Sequence, residues 1–321
     1  MTTPEQWSLG NAAGAVPPKR LPARAWSSTA GIRGARNQRI GYWFVAPAML
    51  LLALVLVVPV CHVFYESFVR PEGFPSVRNY VVLLQDETFQ LAAQNTLTFT
   101  VVSVVGHLLI GLGVALLLNQ QIRGRGTFRN LALLPWMLPP AVVATGWAWL
   151  YHNPFGMLNP LLMGLGLIGS PKAWLAAPQT AMAAVIVANL WRGFPFISLI
   201  LLAGLQAIPV ALHEAASVDG ATTLQRFRHV TLPGLKRILL IAATLDVINT
   251  VKYFDLIWVM TGGGPANSTE VFATLIYRVA FQFFRRERAA ALAVVMFVLV
   301  GLFSFFYVRL TVREESDTAT A

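Results

Sequence analysis

An all-α membrane protein with about six transmembrane helices is the fold that this sequence predicts. Three observations lead there. Hydrophobic residues make up 56% of the 321-residue chain and charged residues only 12%, against roughly one quarter charged in soluble domains. The apolar residues gather into runs long enough to cross a bilayer as a helix, which takes about 20 residues. The basic residues, which leave a net charge of +10, lie in the intervals between those runs. They form no single stripe interleaved with aromatic rings, so membrane lipid rather than nucleic acid is the expected partner for them.

The runs can be taken in order. The first, 42–65, is too long for the core of a secretion signal and has no small-x-small cleavage site after it, so it is expected to stay as an anchor. Ahead of it Lys19, Arg20, Arg24, Arg33, Arg36 and Arg39 face a single acid, Glu5. The positive-inside bias puts this basic, disordered tail, 1–40, in the cytoplasm. The interval 66–90 carries Glu66, Glu72, Asp86 and Glu87 against Arg70 and Arg78 and belongs outside. After the second run, 96–118, the stretch "NQQIRGRGTFRN" carries Arg123, Arg125 and Arg129 without an acid and belongs inside. The third run, 131–150, contains Pro135, Pro139 and Pro140, which must kink or break its helix and free carbonyls that need other partners. The remaining runs are 180–205, 238–260 and 289–310, giving a membrane domain over 41–310 and a short, solvated cytoplasmic tail over 311–321. One interval departs from the charge rule: Arg278, Arg285, Arg286 and Arg288 fall outside, against Glu270 and Glu287.

Bond chemistry finds little to work with. Cys61 is the only cysteine, which excludes a disulfide framework and a cysteine-based metal site. His62, His107, His152, His213 and His229 are scattered, with no HxxH or HExxH pair, so no metal site is expected. No G-x-x-x-x-G-K-[ST] stretch is present to cradle nucleotide phosphates and no G-x-S-x-G elbow to present a nucleophile. The chain is therefore expected not to be an enzyme by itself.

Polar residues inside spans are costly and are functional candidates by default. Asn189 and Arg192 lie in the fourth run, and Asp246, Asn249, Lys252, Tyr253 and Asp255 in the fifth. Asp246, Asn249 and Tyr253 share one helix face at i, i+3 and i+7. With Phe254 and Trp258 they offer the acids, amides and aromatic rings that a hydroxyl-rich solute needs along its path. Mutual neutralisation, of Arg192 by Asp246 or of Lys252 by Asp255, explains the same charges equally well.

Between the fourth and fifth runs stands the most polar interval of the downstream half, "EAASVDGATTLQRFRHVTLPGLKR" (214–237). Pro209 suits a first helical turn, and Asp219-Gly220 offers a left-handed stop. Thr222-x-x-Gln225 has the spacing of a capping box, opening a second helix expected to run to a break at Pro233-Gly234. The product is a helix-turn-helix elbow at the cytoplasmic membrane surface. Ala215, Ala216 and Ala221 let another backbone approach closely, while Glu214, Arg226 and Arg228 orient it. A docking surface is the expected role, and an amphipathic helix resting on lipid is the alternative.

The same residues carry a resemblance. "EAASVDGA" followed by "RFRHVTLP" resembles the EAA loop of the integral-membrane subunits of binding-protein-dependent ABC importers, through Glu214, Ala215, Ala216, Asp219, Gly220, Ala221, Phe227, Leu232 and Pro233. Downstream, "FDLIWVMTGGGPANSTEVFATLIYRVAF" (254–281) is similar to the carbohydrate-type subset, and within it to the maltose and glycerol-3-phosphate permease branch with its T-x-G-G-P segment. The resemblance covers about 42–310. It implies a permease fold whose loop 207–237 couples to an ATPase through Glu214, Ala215, Ala216, Asp219, Gly220, Ala221, Arg226 and Phe227. It implies no cofactor on this chain, with ATP and Mg²⁺ on partner ATPase subunits. The partners implied are a second homologous permease, two identical ATPase subunits and an external solute-binding protein. The location implied is the bacterial inner (plasma) membrane, multi-pass, with both termini cytoplasmic. The solute implied is a sugar or a related compound, glycerol-3-phosphate included; the lack of an evident arginine pair for a phosphate favours a neutral sugar. An ion-driven secondary transporter using Asp246 and Asp255 would need internal repeats, and the two halves show none that convinces. A membrane-anchored scaffold that only recruits a cytosolic protein leaves the polar residues of the spans unexplained.

Overall fold

The computed structural model describes residues 42–69, 75–120 and 123–319, and every regular element among them is helical. The basic tail over 1–40 lies outside the described residues, as do Arg70 and Glu72. The chain divides into two units, Met1–Val58 and Pro59–Ala321. The described part of the first is apolar helix with exposed side chains. It belongs to α1 (Tyr42–Ser67), which has 26 residues.

From there the order is α2 (Arg78–Leu84), α3 (Glu87–Asn119), α4 (Arg125–Met137), α5 (Pro140–Leu150), α6 (Leu158–Gly164) and α7 (Pro178–Ala207). The elbow follows as α8 (Val210–Val218) and α9 (Thr223–Arg226), then α10 (Leu232–Val251), α11 (Asp255–Thr261), α12 (Phe272–Tyr277) and α13 (Arg286–Ala319). Among the described residues α1, α3, α7 and the stretch Arg286–Tyr307 of α13 are long and apolar enough to cross a membrane. The pair α4 and α5, bent by 90°, makes a fifth span if counted as one. That bend is the break expected from Pro135, Pro139 and Pro140. The fifth candidate, 238–260, is helical but interrupted: α10 stops at Val251 and α11 starts at Asp255, so the polar residues Lys252 and Tyr253 stand at a gap within the bundle. At the other end of the chain, most of the segment read as a solvated tail continues α13 as helix to Ala319.

α3 and α7 pack against each other, and small residues make this possible. With no hydrophobic gain between helices in lipid, packing rests on close backbone approach. A Cβ added at Gly111 of α3 would stand 2.9 Å from Ile197 Cγ2 of α7, and one at Gly106 would strike Leu190. Two apolar clusters result. One gathers Phe99, Val143, Ala184, Val185, Ala188, Leu256 and Ile257; the other gathers Ala115, Ile197, Leu201, Leu205, Leu235 and Ala242. On α3, α7 and α10, His107, Asn189, Arg192, Asp246 and Asn249 fall between the members of these two clusters.

One expected break is absent. The helix opened at Thr223 does not end at Pro233-Gly234 but runs on into α10. Phe227–Thr231 forms a π-turn in which the Leu232 N–H reaches the Phe227 carbonyl, five residues back. This wider turn lets the helix pass Pro233, which has no N–H to donate to the preceding turn. The elbow is thus continuous with α10.

The arginines that break the charge rule are partly accounted for by pairing. Arg288 pairs with Asp86, the residue whose Oδ1 caps α3 by accepting from Thr88 N at 2.8 Å. Arg278 reaches back over the Gly262–Val271 loop, donating to the Gly262 carbonyl at 2.6 Å and to Asn267 Oδ1 at 3.0 Å, with its Nη2 2.7 Å from Glu270 Oε2. Glu270 is fully buried. Burial pushes its carboxyl above the ordinary glutamate range, while the Thr274 hydroxyl and Arg278 pull it back. Replacing Arg278 by Met should therefore cost about 3 kcal/mol of stability, because a buried carboxylate loses its partner. Adding Glu270→Gln should recover more than half, as read by thermal unfolding of the purified protein in detergent. A double variant as unstable as the single one would mean that the ion pair is not the cause.

Candidate functional site: a polar cavity and an exposed elbow

A cavity of about 460 Å³ opens between α3, α7 and α10. Its wall includes all seven of the path residues expected from sequence: Asn189 and Arg192 from α7, Asp246 and Asn249 from α10, Tyr253 and Phe254 from the gap, and Asp255 from α11. Asp255 sits in the first turn of its helix, where the dipole favours a carboxylate. Trp136 of α4 also lines the cavity and stacks on Phe196, ring centroids 5.4 Å apart. The 90° bend after Met137 thus sits beside one wall.

The wall's strongest polar contact comes from a residue that sequence reading passed over. His107, on α3 and 2% exposed, places Nδ1 2.8 Å from Asp246 Oδ2 and Nε2 3.0 Å from the Asn189 carbonyl. One imidazole thereby bridges α3, α10 and α7. Gly193 makes the room, since a Cβ there would strike the His107 ring. The neutralising pairs considered from sequence do not form among the described residues. Asp246 is held by His107, and no ion pair joins Arg192 to Asp246 or Lys252 to Asp255. Arg192 instead lies over the Tyr253 ring, 5.8 Å from its centroid.

Three further polar groups on this wall have no hydrogen-bond partner among the described residues: Asn189 Nδ2, Arg192 Nε and the Tyr253 hydroxyl. Buried donors without acceptors are expensive, so these three are open to partners that enter the cavity, water included.

The second feature is the elbow. α8 ends in the left-handed stop expected at Gly220, whose φ is 77°. Ala221 N bonds to Ala216 O at 2.9 Å and Gly220 N to Ser217 O at 3.2 Å, which closes a Schellman motif. The capping box forms in full: Thr222 N donates to Gln225 Oε1 at 2.7 Å and Gln225 N to Thr222 Oγ1 at 3.3 Å. Arg226 braces the two helices, donating to Ser217 Oγ at 2.9 Å, so its charge faces α8. Glu214, Ala215, Asp219 and Gly220 are exposed, while Ala216, Ala221 and Phe227 are half-buried. Around them Val210, Leu212, Val218 and Leu224 expose 53–88% of their surface. The elbow is stiff within and presents four large apolar side chains among its exposed polar ones. It is also anchored, for Ile208 just before it and Leu235 just after it share the same apolar cluster.

With this geometry in hand, comparison with known proteins is specific. The chain belongs to the family of binding-protein-dependent transport system inner membrane components, which it matches over residues 107–314. It is 36% identical over 283 residues to the trehalose/maltose transport system permease protein MalF of Thermococcus litoralis, covering 85% of this chain and 94% of that one. It is 37% identical over 273 residues to the sulfoquinovosyl glycerol transport system permease protein SmoG of Agrobacterium fabrum, covering 83% and 88%. Its fold matches a chain of the bacterial ABC transporter involved in the import of the acidic polysaccharide alginate, with a TM-score of 0.78 over 88% of this chain and 98% of that chain, at 24% identity.

Gly193→Ala tests how tightly the bridge is built. The added methyl must displace the His107 ring or push α3 from α7, an overpacking that costs about 1–3 kcal/mol. The purified variant should melt several degrees lower than the parent, whereas Gly113→Ala, on the same α3 but with open space at its Cβ, should melt like it.

Proposed function

We propose that the chain is the permease subunit of an ATP-driven importer that carries a sugar or sugar-related solute delivered by an external binding protein. One observation carries this reading: α7 and α10 both line the polar cavity, and both run directly into one stiff, exposed elbow. From the elbow into α10 the helix is unbroken, and toward α7 only Ile208 and Pro209 intervene, so a force applied to the elbow reaches the cavity wall. The sugar class is supported by relatives named for trehalose and maltose and for sulfoquinovosyl glycerol, and by a cavity that mixes amides, carboxylates and aromatic rings.

In this reading the elbow, with Glu214, Ala215, Ala216, Asp219, Gly220, Ala221 and Phe227, seats in a groove of a cytoplasmic ATPase. Its exposed Val210, Leu212, Val218 and Leu224 supply the apolar contact, and Arg226 keeps the lever rigid. ATP and Mg²⁺ are bound by that partner, two copies of which serve this permease and a second, similar one. Closure of the ATPase pair moves the elbow, and the cavity alternates between the two sides of the inner membrane. The elbow and both termini face the cytoplasm. Within the chain 41–310 is the transporting domain, 207–237 its coupling loop, and 1–40 and 311–321 are cytoplasmic tails.

Two sets of substitutions separate lever from path. Glu214→Lys and Gly220→Pro should leave membrane insertion unchanged but lower uptake at least tenfold, with the ATPase no longer stimulated by solute-loaded binding protein. Asn249→Leu and Tyr253→Leu should lower uptake more than they lower that stimulated hydrolysis. Normal uptake by the elbow variants at parental expression would remove the coupling role, and equal loss of uptake and hydrolysis in the cavity variants would remove the path.

A further inference from the structure

The contact between His107 and Asp246 decides the charge of the cavity. The Asn189 carbonyl can only accept a hydrogen bond, so Nε2 of His107 carries a hydrogen. The 2.8 Å contact of Nδ1 with the Asp246 carboxylate must then contain one more proton, on the ring or on the acid. In either position the pair has no net charge. The charged groups left on the cavity wall are Arg192 and Lys252 against Asp255, two cations against one carboxylate, and none of the three is in an ion pair among the described residues.

The unsatisfied groups point the same way. Arg192 Nε, Asn189 Nδ2 and the Tyr253 hydroxyl lack partners among the described residues, and all three can donate. Asn189 is 4% exposed. A guanidinium has five donors and no acceptor, in a fork that matches a carboxylate, sulfonate or phosphate. The hydroxyls of a neutral sugar can accept from these donors but give an unpaired arginine no counter-charge. An acidic group presents acceptors and charge together.

We propose that the cavity selects a sugar bearing an acidic group. Arg192 is the anion-binding residue, Asn189 Nδ2 and the Tyr253 hydroxyl are companion donors, and Lys252 adds a point charge. Asp255, Asn249 and the Phe254 ring are left for the hydroxyls and the C–H face of the sugar. This rests on the sugar-import reading and reverses the preference for a neutral solute drawn from sequence, which looked for an arginine pair. The structure supplies one arginine freed by a histidine.

The test is thermal unfolding of the purified permease–ATPase complex without binding protein, so that only the transporter can bind the probe. D-glucose, D-glucuronate, 6-sulfo-D-quinovose, D-glucose 6-phosphate and sodium sulfate are added separately at matched ionic strength. The expected result is a rise of about 2 °C or more with at least one acidic sugar, little or none with glucose or sulfate, and loss of that rise in Arg192→Gln. Which acid gives the largest rise distinguishes carboxylate, sulfonate and phosphate. Arg192→Lys, which keeps the charge without the fork, should retain part of the rise and guards against a misfolded Gln variant. Equal shifts with glucose and the acidic sugars would overturn the inference and leave the sugar-import reading standing. A shift with sulfate as large as with any acidic sugar would overturn it too, since the site would then bind an anion without the sugar. No shift with any probe would overturn both the inference and the assignment of this cavity as the sugar path.

Discussion

One hydrogen-bonded imidazole sets the centre of this structure. Inside a bundle of spans a polar group that is buried without a partner is costly. His107 meets two such needs at once, holding the Asp246 carboxylate on one side and the Asn189 carbonyl on the other, and it fills the space left by Gly193. Because its partners sit on α7 and α10, the ring fixes the distance between three helices. Because it occupies Asp246, it also leaves Arg192 unpaired. The shape of the cavity and its charge thus have a common origin.

The path from the elbow to this centre is short in covalent terms. Ile208 and Leu235, on either side of the elbow, pack into one cluster. Beyond it the next residues along α7 and α10 toward the membrane interior are those that line the cavity. The π-turn over Phe227–Thr231 matters here. A break at Pro233 would have placed a hinge between α9 and α10, and any movement of the elbow would have been absorbed there. A helix that passes the proline by widening one turn keeps the lever in one piece.

Much of this was legible in the sequence, and what was not has a physical reason. The elbow could be read because its signals are local: the Gly220 stop, the Thr222–Gln225 box and the flanking prolines each act over three or four residues. The break at Pro139-Pro140 was legible for the same reason. The polar residues of the cavity wall were legible because a polar residue in an apolar run stands out by itself. Their partners were not legible. His107 and Asp246 are 139 residues apart, and nothing in either run indicates the other; the one available signal was that His107 lies in the middle of the second apolar run. The same blindness made Arg192 and Asp246 look like a pair, since both carry charge in adjacent spans. The basic interval 278–288 looked like an objection to the topology for a related reason: Arg278 and Arg288 are tied to Glu270 and Asp86, the second of these about 200 residues away along the chain.

The claim on which all of this depends is that His107 holds α3 to α10. Spin labels can be placed on the outward faces of these helices at Val105 and Leu245, both of them exposed, after Cys61, the only cysteine, is replaced by serine. Pulsed electron paramagnetic resonance then gives the distribution of distances between the two helices in the membrane. The account predicts a narrow distribution in the parent that broadens or shifts in His107→Ala. The same narrow distribution in both would show that the helices are held by packing alone and would contradict it.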